Sequence, residues 1–229
     1  MNNVRPLPAF VRAELSRLAD PAKAAEMTQY MKNVKPYYGV QSQDTGIITQ
    51  SAFKKFRFDD EDELKENLLD LWLGSRREEQ YVAVRLARKY PKFITVRQLP
   101  LYEFMLRTEP WWDTVDAIAG HLVGRAIASS PEKGWETVDK WIHDDSIWVQ
   151  RTAILSQIFA KENTDERRLF HFCKTKMDDK QFFIAKAIGW ALRQYGYVNP
   201  SSVRKFIAEN EAYMSKLSVR EALRNLPVG

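Results

Sequence analysis

A repeat of about 35 residues is the feature that most constrains how this chain can fold. Five pairs of an alanine and an aliphatic residue recur at spacings of 34, 36, 34 and 35 residues: Ala83-Val84, Ala117-Ile118, Ala153-Ile154, Ala187-Ile188 and Ala222-Leu223. Each pair lies in a segment with helical hydrophobic spacing, and each interval has room for a second helix and two turns. This period predicts an all-α fold, an α-solenoid of HEAT-like helical repeats.

The repeat also predicts the domain organisation. Tetratricopeptide repeats have a similar period, but their Trp-Leu-Gly and Tyr pattern does not recur here. A solenoid is a single array, so we expect one repeat domain over residues 1–229, with capping helices over about 1–58 and repeats over about 59–229. Gly46-Ile47-Ile48-Thr49 is the only brief candidate for a strand.

Several helix starts can be placed from local signals. Asp20-Pro21 is typical of an N-cap followed by proline in the first turn, and a helix is predicted from Ala22 to Asn33. The acidic run Asp59 to Glu63 suits the first turn of a helix that continues to Trp72, because carboxylates complement the helix dipole there. Asp144-Asp145-Ser146 and Asn199-Pro200-Ser201 indicate two further starts.

Composition indicates a globular protein of the cytoplasm. Of 229 residues, 45% are hydrophobic and 28% are charged, which argues against a disordered chain. Cys173 is the one cysteine, which excludes an intrachain disulfide, fits a reducing compartment and is interpreted as a packing residue. The sequence has no apolar leader and no apolar stretch of membrane-spanning length, so we expect a cytoplasmic location.

The charge of the chain is unevenly distributed. The formal net charge is +5, with nine basic and four acidic side chains in residues 1–58 and nine against thirteen in residues 59–119. Residues 120–229 carry seventeen basic and thirteen acidic side chains. A basic balance at both ends would suit a polyanionic partner, although composition alone favours the interpretation that these charges lie on solvated helix faces.

The repeat register brings together a set of residues that could do chemistry. Asp116 lies one position before its repeat alanine, and Trp112 lies four residues earlier on the same helix face. Arg151 precedes its repeat alanine by two positions, Lys186 precedes the next by one, and Trp190 follows that one by three. Because the offsets from the repeat alanines are equivalent, we expect these residues to lie on neighbouring helices of one layer. The repeat therefore predicts a surface with a carboxylate, an arginine and two indoles.

Each of these residues also has a purely structural interpretation. Asp116 and Arg151 could form a hydrogen-bonded ladder between repeats, because ion-pair networks produce similar clusters. Four of the other five tryptophans are interpreted as core residues: Trp72, Trp111, Trp141 and Trp148. His121, His143 and His171 lack metal-ligand spacing and no glycine-rich phosphate loop occurs, so we expect neither a metal nor a cofactor.

The chain resembles the AlkD-like family of DNA alkylation repair glycosylases. The resemblance is carried by Trp111-Trp112-Asp113-Thr114-Val115-Asp116, Ile147-Trp148-Val149-Gln150-Arg151, Phe182-Phe183-Ile184 and Lys186-Ala187-Ile188-Gly189-Trp190-Ala191-Leu192-Arg193, with Tyr30-Met31-Lys32-Asn33 and Ser218-Val219-Arg220-Glu221-Ala222 near the ends. It covers nearly the whole chain in the same order. The sequence departs from the family pattern at residues 42–46, where members usually have Thr-Pro and an arginine-containing turn.

The resemblance implies a right-handed superhelix that excises N3- and N7-alkylated purines from duplex DNA in base excision repair. It implies catalytic roles for Asp116, as the carboxylate, and for Trp112 and Trp190, as aromatic walls around the deoxyribose. DNA-binding roles are implied for Tyr30, Gln41, Arg151 and Lys186, with Arg151 on a phosphate. The protein would be a metal-free and cofactor-free monofunctional hydrolase, monomeric, and associated with the nucleoid when bound to DNA.

Two other functions stay open. The first is a non-catalytic DNA-structure-binding protein on the same scaffold, which would have no chemical reason to keep Asp116 together with both tryptophans. The second is a HEAT-type protein-interaction scaffold for peptides. Such a scaffold would not show the strong salt dependence that accompanies binding to a DNA duplex.

Overall fold

The computed structural model describes residues 5–226, and all regular secondary structure in that range is helical. The all-α fold predicted from the repeat is therefore confirmed. The helices form two compact units, the first running through Phe93 and the second beginning at Ile94. The expected single repeat domain over 1–229, with its capping segment 1–58, stays a prediction, and its ends at 1–4 and 227–229 lie outside the described residues.

The first unit is a bundle in which α5 is central. Its helices are α1 (Pro6–Arg17), α2 (Pro21–Tyr30), α3 (Ser42–Lys55), α4 (Glu61–Trp72) and α5 (Arg77–Lys89), followed by a 3₁₀ turn at Pro91–Phe93. Helices α1, α3 and α4 all pack against α5. Leu15, Leu71 and Trp72 are completely buried in the resulting core.

The second unit consists of successive helix pairs. Its helices are α6 (Leu99–Thr108), α7 (Trp112–Ile118), α8 (Gly124–Ser129), α9 (Pro131–Trp141), α10 (Ile147–Leu155), α11 (Glu166–Lys176), α12 (Phe182–Gly196), α13 (Pro200–Asn210) and α14 (Lys216–Leu223). A π-helical turn at Ala119–Val123 joins α7 to α8. Short 3₁₀ turns lie at Val96–Gln98 and Lys161–Asn163.

In the second unit, the repeat alanines mark one layer of helices. They lie on α7, α10, α12 and α14, where α7 packs on α10, α10 on α12, and α12 on α14. The first repeat alanine, Ala83, lies on α5 of the first unit. Ala153, Ala187 and Ala222 are completely buried and Ala117 is half-buried. Small side chains in register let neighbouring helices approach closely, and the predicted two-helix repeat is present throughout the second unit.

Local capping chemistry accounts for the helix starts. The Asp20 carboxylate accepts the backbone N–H groups of Ala22 and Lys23, both at 3.1 Å, and caps α2. Asp60 caps α4 and Asn199 caps α13, so these predicted starts are confirmed. Helix α2 ends at Tyr30 rather than at the predicted Asn33.

The brief strand candidate Gly46–Thr49, which is too short to carry a sheet, lies inside α3. Thr45, Ile48, Thr49 and Ala52 are buried with a helical period, and this burial outweighs the weak β-propensity of the threonines and isoleucines. The hydroxyl groups of Thr45 and Thr49 donate to carbonyls four residues earlier at 2.8 Å.

The atypical residues 42–46 form the first turn of α3 rather than an irregular loop. Arg85 of α5 holds this turn, with its Nη1 2.8 Å from the Ser42 carbonyl oxygen and its Nη2 2.7 Å from the Ser42 hydroxyl.

Candidate active site

An ion pair between neighbouring repeats lies at the centre of the site. Arg151 of α10 donates from Nε to Oδ1 of Asp116 at 2.8 Å, and from Nη2 to Oδ2 at 2.9 Å. The guanidinium group therefore holds both oxygens of the carboxylate in one plane. This geometry is stronger and more specific than a single hydrogen bond, because two parallel charged contacts fix the orientation of both groups.

Burial strengthens the electrostatic interaction within this pair compared with an ion pair on the surface, because water screens buried charges less. The side chain of Arg151 is 5% exposed, whereas that of Asp116 keeps 16% of its surface in contact with solvent. Burial raises the pKa of Asp116 above its ordinary value, and the hydrogen bonds and charge of Arg151 oppose this change. The charge of Asp113, three residues earlier on α7, raises the pKa further.

Arg151 also ties a third helix to the site. Its Nη1 donates to the backbone carbonyl oxygen of Phe183, at the start of α12, at 2.5 Å. One guanidinium group thus connects α7, α10 and α12 of the second unit. Two of its five N–H groups are left over after these contacts.

An aromatic cluster packs beside the guanidinium group. The rings of Trp111, Trp148 and Phe183 are mutually in contact, with centroids 4.9 to 5.4 Å apart. The Arg151 Cζ lies 5.9 Å from the centroid of the Phe183 ring. Trp111 and Trp148, predicted as core residues, are half-buried walls of this cluster, while Trp72 and Trp141 are buried in the core as predicted.

The two tryptophans predicted to act in catalysis are both half-buried. Trp112 is the first residue of α7, one helical turn before Asp116 on the same face. Trp190 lies on α12, seven residues after Phe183, so it is two turns or about 10 Å further along that helix on the same face. Both residues therefore belong to helices that Arg151 connects.

A π-helical turn follows the carboxylate directly. It widens the helix at Ala119–Val123, so that the helix carrying Asp116 continues into α8 with a shifted register. The segment after α10 approaches this turn so closely that a Cβ at Gly124 would lie 2.3 Å from the Ser156 carbonyl oxygen. The close approach fixes α7 against α10, the helix that supplies Arg151.

Lys186, predicted to bind DNA, takes part in a second network. Its Nζ lies 3.0 Å from a carboxylate oxygen of Glu221 on α14, and Arg193 binds the other oxygen at 2.9 Å. The Lys186 hydrogen bond is the largest of the contacts that lower the pKa of Glu221. The side chain of Lys186 is 38% exposed, so it also faces solvent.

The other two predicted DNA-binding residues lie in the first unit. Tyr30 is the last residue of α2 and its side chain is highly exposed. Gln41 is the N-cap residue of α3, and its carbonyl oxygen accepts the backbone N–H of Thr45 at 2.9 Å. The DNA-binding roles of all four residues stay predictions.

The remaining candidate groups do not form a reactive cluster. Cys173 is completely buried, and burial raises the pKa of its thiol strongly, which fits its interpretation as a packing residue. Between residues 5 and 226, no three side chains of histidine, cysteine, aspartate or glutamate are grouped to hold a metal ion. Over the same range, no helix has both the length and the apolar character needed to cross a bilayer.

Sequence analysis missed two parts of this site. The Phe183 carbonyl group has no sequence signal, because every residue carries one. The π-helical turn was missed as well, although the closely spaced Gly120 and Gly124 could have indicated an unusually close helix contact.

Fold and site together define a class of protein. It is an all-α protein of tandem helix pairs, in which a partly buried carboxylate of one pair is held by an arginine of the next pair. The profile of the DNA alkylation repair enzyme family matches residues 11–226. The chain therefore belongs to the DNA alkylation repair enzyme family, which supports a role in alkylation repair with DNA as the substrate.

A solved structure agrees with this assignment. The chain is similar to a structure described as a predicted DNA alkylation repair enzyme from Enterococcus faecalis, with a TM-score of 0.84 and 26% sequence identity. The similarity covers 92% of this chain and 98% of the other, and the two share the same fold. Among curated proteins, no sequence matches this chain.

Proposed function

We propose that the protein is a DNA glycosylase that excises cationic N3- and N7-alkylated purines from duplex DNA. The observation that carries the proposal is the carboxylate of Asp116, which is fixed by Arg151 at both oxygens yet keeps part of its surface open to solvent. A carboxylate that served only as a ladder between repeats would not need this opening.

The chemistry needs few groups because the substrate carries its own activation. An N3- or N7-alkylated purine has a formal positive charge, so it leaves the sugar as a neutral base without being protonated. Positive charge then develops on the deoxyribose, as in the oxocarbenium-like transition state of glycoside hydrolysis. Asp116 stabilises this charge and orients the attacking water molecule.

The surroundings of Asp116 strengthen this effect. A charge–charge interaction is worth more where water is partly excluded, because the effective dielectric constant falls. Trp112 and Trp190 exclude water from the deoxyribose and attract its positive charge through their electron-rich faces. Arg151 keeps the carboxylate ionised and correctly oriented, and its two remaining N–H groups are free to bind a DNA phosphate.

The selectivity follows from the charge of the leaving group. A neutral purine is a poor leaving group, and the proposed mechanism supplies no general acid to protonate it. The enzyme should therefore release cationic bases and leave neutral lesions in place.

The test uses duplexes that differ only in the charge of one base. Duplexes with a single N7-methylguanine or N3-methyladenine are incubated with the protein, and any released base is identified chromatographically. We expect release of both cationic bases and no release from the unmodified duplex or from one with neutral O6-methylguanine. Absence of release from both cationic substrates, or equal release of the neutral one, would contradict the proposal.

A further inference from the structure

A second surface rich in positive charge lies in the first unit, where α3 and α5 end side by side. Five exposed cations cluster at these two helix ends: Lys54, Lys55, Arg57, Arg88 and Lys89. We refer to them as the α3–α5 basic cluster. None of them belongs to the residues that form the candidate active site.

Aromatic rings lie against three of these cations. Two of them contact the Phe53 ring, with the Cζ of Arg57 4.2 Å and the Nζ of Lys89 5.8 Å from its centroid. The Nζ of Lys55 lies 4.7 Å from the centroid of the Phe10 ring. Contacts of this kind orient a cation without neutralising its charge, so the charge stays available to a partner.

The ends of the two helices are themselves locked together. Tyr90, directly after α5, packs its ring edge-on against Phe53 with centroids 5.2 Å apart. Its hydroxyl group donates to the carbonyl oxygen of Phe56, directly after α3, at 3.0 Å. The basic cluster is therefore carried by a rigid aromatic platform rather than by a loose loop.

The cluster has no carboxylate partner among the described residues. The neighbouring carboxylate of Asp59 is bound by Lys92 at 2.9 Å. Most other acidic residues nearby lie in the first turn of α4, where they favour the helix dipole. The local crowding of positive charge also affects Arg85, whose pKa is lowered by burial and by the charge of Arg88.

Helix stability alone does not explain the cluster. Cations in the last turn of a helix are stabilised by its dipole, which accounts for the lysines of α3 and for the two cations of α5. It does not account for Arg57, which lies beyond the end of α3, or for the aromatic rings that hold charges of both helices together. An extended anion would relieve the mutual repulsion of the five charges.

We propose that the α3–α5 basic cluster binds backbone phosphates of duplex DNA, independently of the damaged base. The inference rests on the proposed function in taking DNA as the polyanion, and it assigns a phosphate-binding surface to the first unit. Such contacts position the duplex without reading its sequence.

The test removes three charges from the cluster and measures the salt dependence of binding. In the triple variant Lys55→Gln, Arg57→Gln and Lys89→Gln, loss of three phosphate contacts should reduce the slope of log affinity against log salt by about two to three. Between roughly 50 and 200 mM salt, wild-type affinity for an unmodified duplex should therefore fall about 40-fold more than that of the variant.

A second triple variant, Arg17→Gln, Lys23→Gln and Lys65→Gln, is the matched control, because it removes the same charge elsewhere in the first unit. We expect it to keep the wild-type slope, and both variants to keep the wild-type circular dichroism spectrum and melting temperature.

The outcomes separate this inference from the proposed function. Equal slopes for the two triple variants, or a wild-type protein that does not bind duplex DNA, would overturn the cluster proposal. If the cluster variant lost binding to poly-glutamate but kept the wild-type salt slope on DNA, the cluster proposal would also be overturned. That result would indicate an acidic protein partner. A reduced slope without base release from any methylated duplex would support the cluster and refute only the glycosylase.

Discussion

At the scale of single residues, the proposed mechanism gives Asp116 two roles that are often treated as alternatives. Its bidentate pair with Arg151 links neighbouring repeats, as a structural ladder would, and we propose that the same pair orients the carboxylate for the reaction. A change at Asp116 should therefore affect both stability and rate. The size of each effect, compared with that in a matched control variant, separates the structural role from the catalytic one.

The first prediction concerns the charge of Asp116. In Asp116→Asn, loss of the negative charge should lower the single-turnover rate of base release about 10²–10³-fold. The variant also loses one acceptor for Arg151, which should cost about 1–3 kcal/mol of unfolding free energy in urea titrations. DNA affinity should stay close to that of the wild type.

Asp113→Asn is the control, because it removes a carboxylate from the same helix that is not hydrogen-bonded to Arg151, and its loss only removes a charge that raises the pKa of Asp116. We expect it to release base at nearly the wild-type rate. A folded Asp116→Asn protein with wild-type excision would show that this carboxylate has no catalytic role.

The second prediction uses the pKa of Asp116. Burial raises this pKa and Arg151 opposes the rise, so base release should decline as the pH falls through a value above the ordinary 3.8 of an aspartate. In Arg151→Ala the opposing contacts are lost, and the acid limb of the kcat/KM profile should move to higher pH. The limb should return towards its wild-type position in Arg151→Lys, which restores a positive charge.

The same variants test the phosphate contact predicted for Arg151. If its remaining N–H groups bind a phosphate, Arg151→Ala should also reduce the salt slope of DNA binding by about one. A shifted acid limb with an unchanged slope would assign Arg151 to positioning Asp116 alone.

At the scale of secondary-structure elements, the π-helical turn after α7 determines where the carboxylate lies. An uninterrupted α-helix would rotate every residue after Ile118 relative to the present structure, including the face that meets the segment after α10. Gly124 allows this contact, because there is no room for a side chain beside the Ser156 carbonyl group.

The third prediction tests this contact. In Gly124→Ala, the new Cβ would lie 2.3 Å from a backbone oxygen, so α8 or the segment after α10 must shift. We expect a loss of about 1–3 kcal/mol in urea unfolding and a reduced rate of base release, since α7 moves with its continuation.

Gly46→Ala on α3 is the matched control. Its Cβ would lie 3.5 Å from an Arg85 nitrogen, an ordinary contact, and alanine is favoured over glycine in a helix by up to about 1 kcal/mol. This variant should be as stable as the wild type or slightly more so. Equal losses in both variants would show that the π-helical turn has no special packing role.

At the scale of the whole molecule, we propose that function depends on residues of both units. The second unit holds the carboxylate, its arginine and both tryptophans, whereas the first holds Tyr30, Gln41 and the basic cluster. We propose that the second unit supplies the reacting groups and the phosphate contact of Arg151, and that the first supplies further contacts to the phosphate backbone. The salt-slope measurements on the cluster variants and on Arg151→Ala examine the phosphate contacts of the two units separately.

Local rules in the sequence determined the class of fold, the repeat and most helix starts. Hydrophobic periodicity and capping depend on residues within one or two turns of each other, so the helix starts near Asp20, Asp59 and Asn199 could be placed without a structure. The regular spacing of the repeat alanines also placed Asp116 and Arg151 on neighbouring helices.

Only the tertiary structure decided how these parts meet. Whether Arg151 turns to Asp116 or to solvent depends on the approach of two helices whose residues are 35 positions apart. Three other features also depend on how distant segments approach each other. They are the hydrogen bond from Arg151 to the Phe183 carbonyl group, the π-helical turn beside Ser156, and the contact of Arg57 and Lys89 with the Phe53 ring. Local propensity could not reveal them, because their energies come from close packing between segments that are distant in sequence.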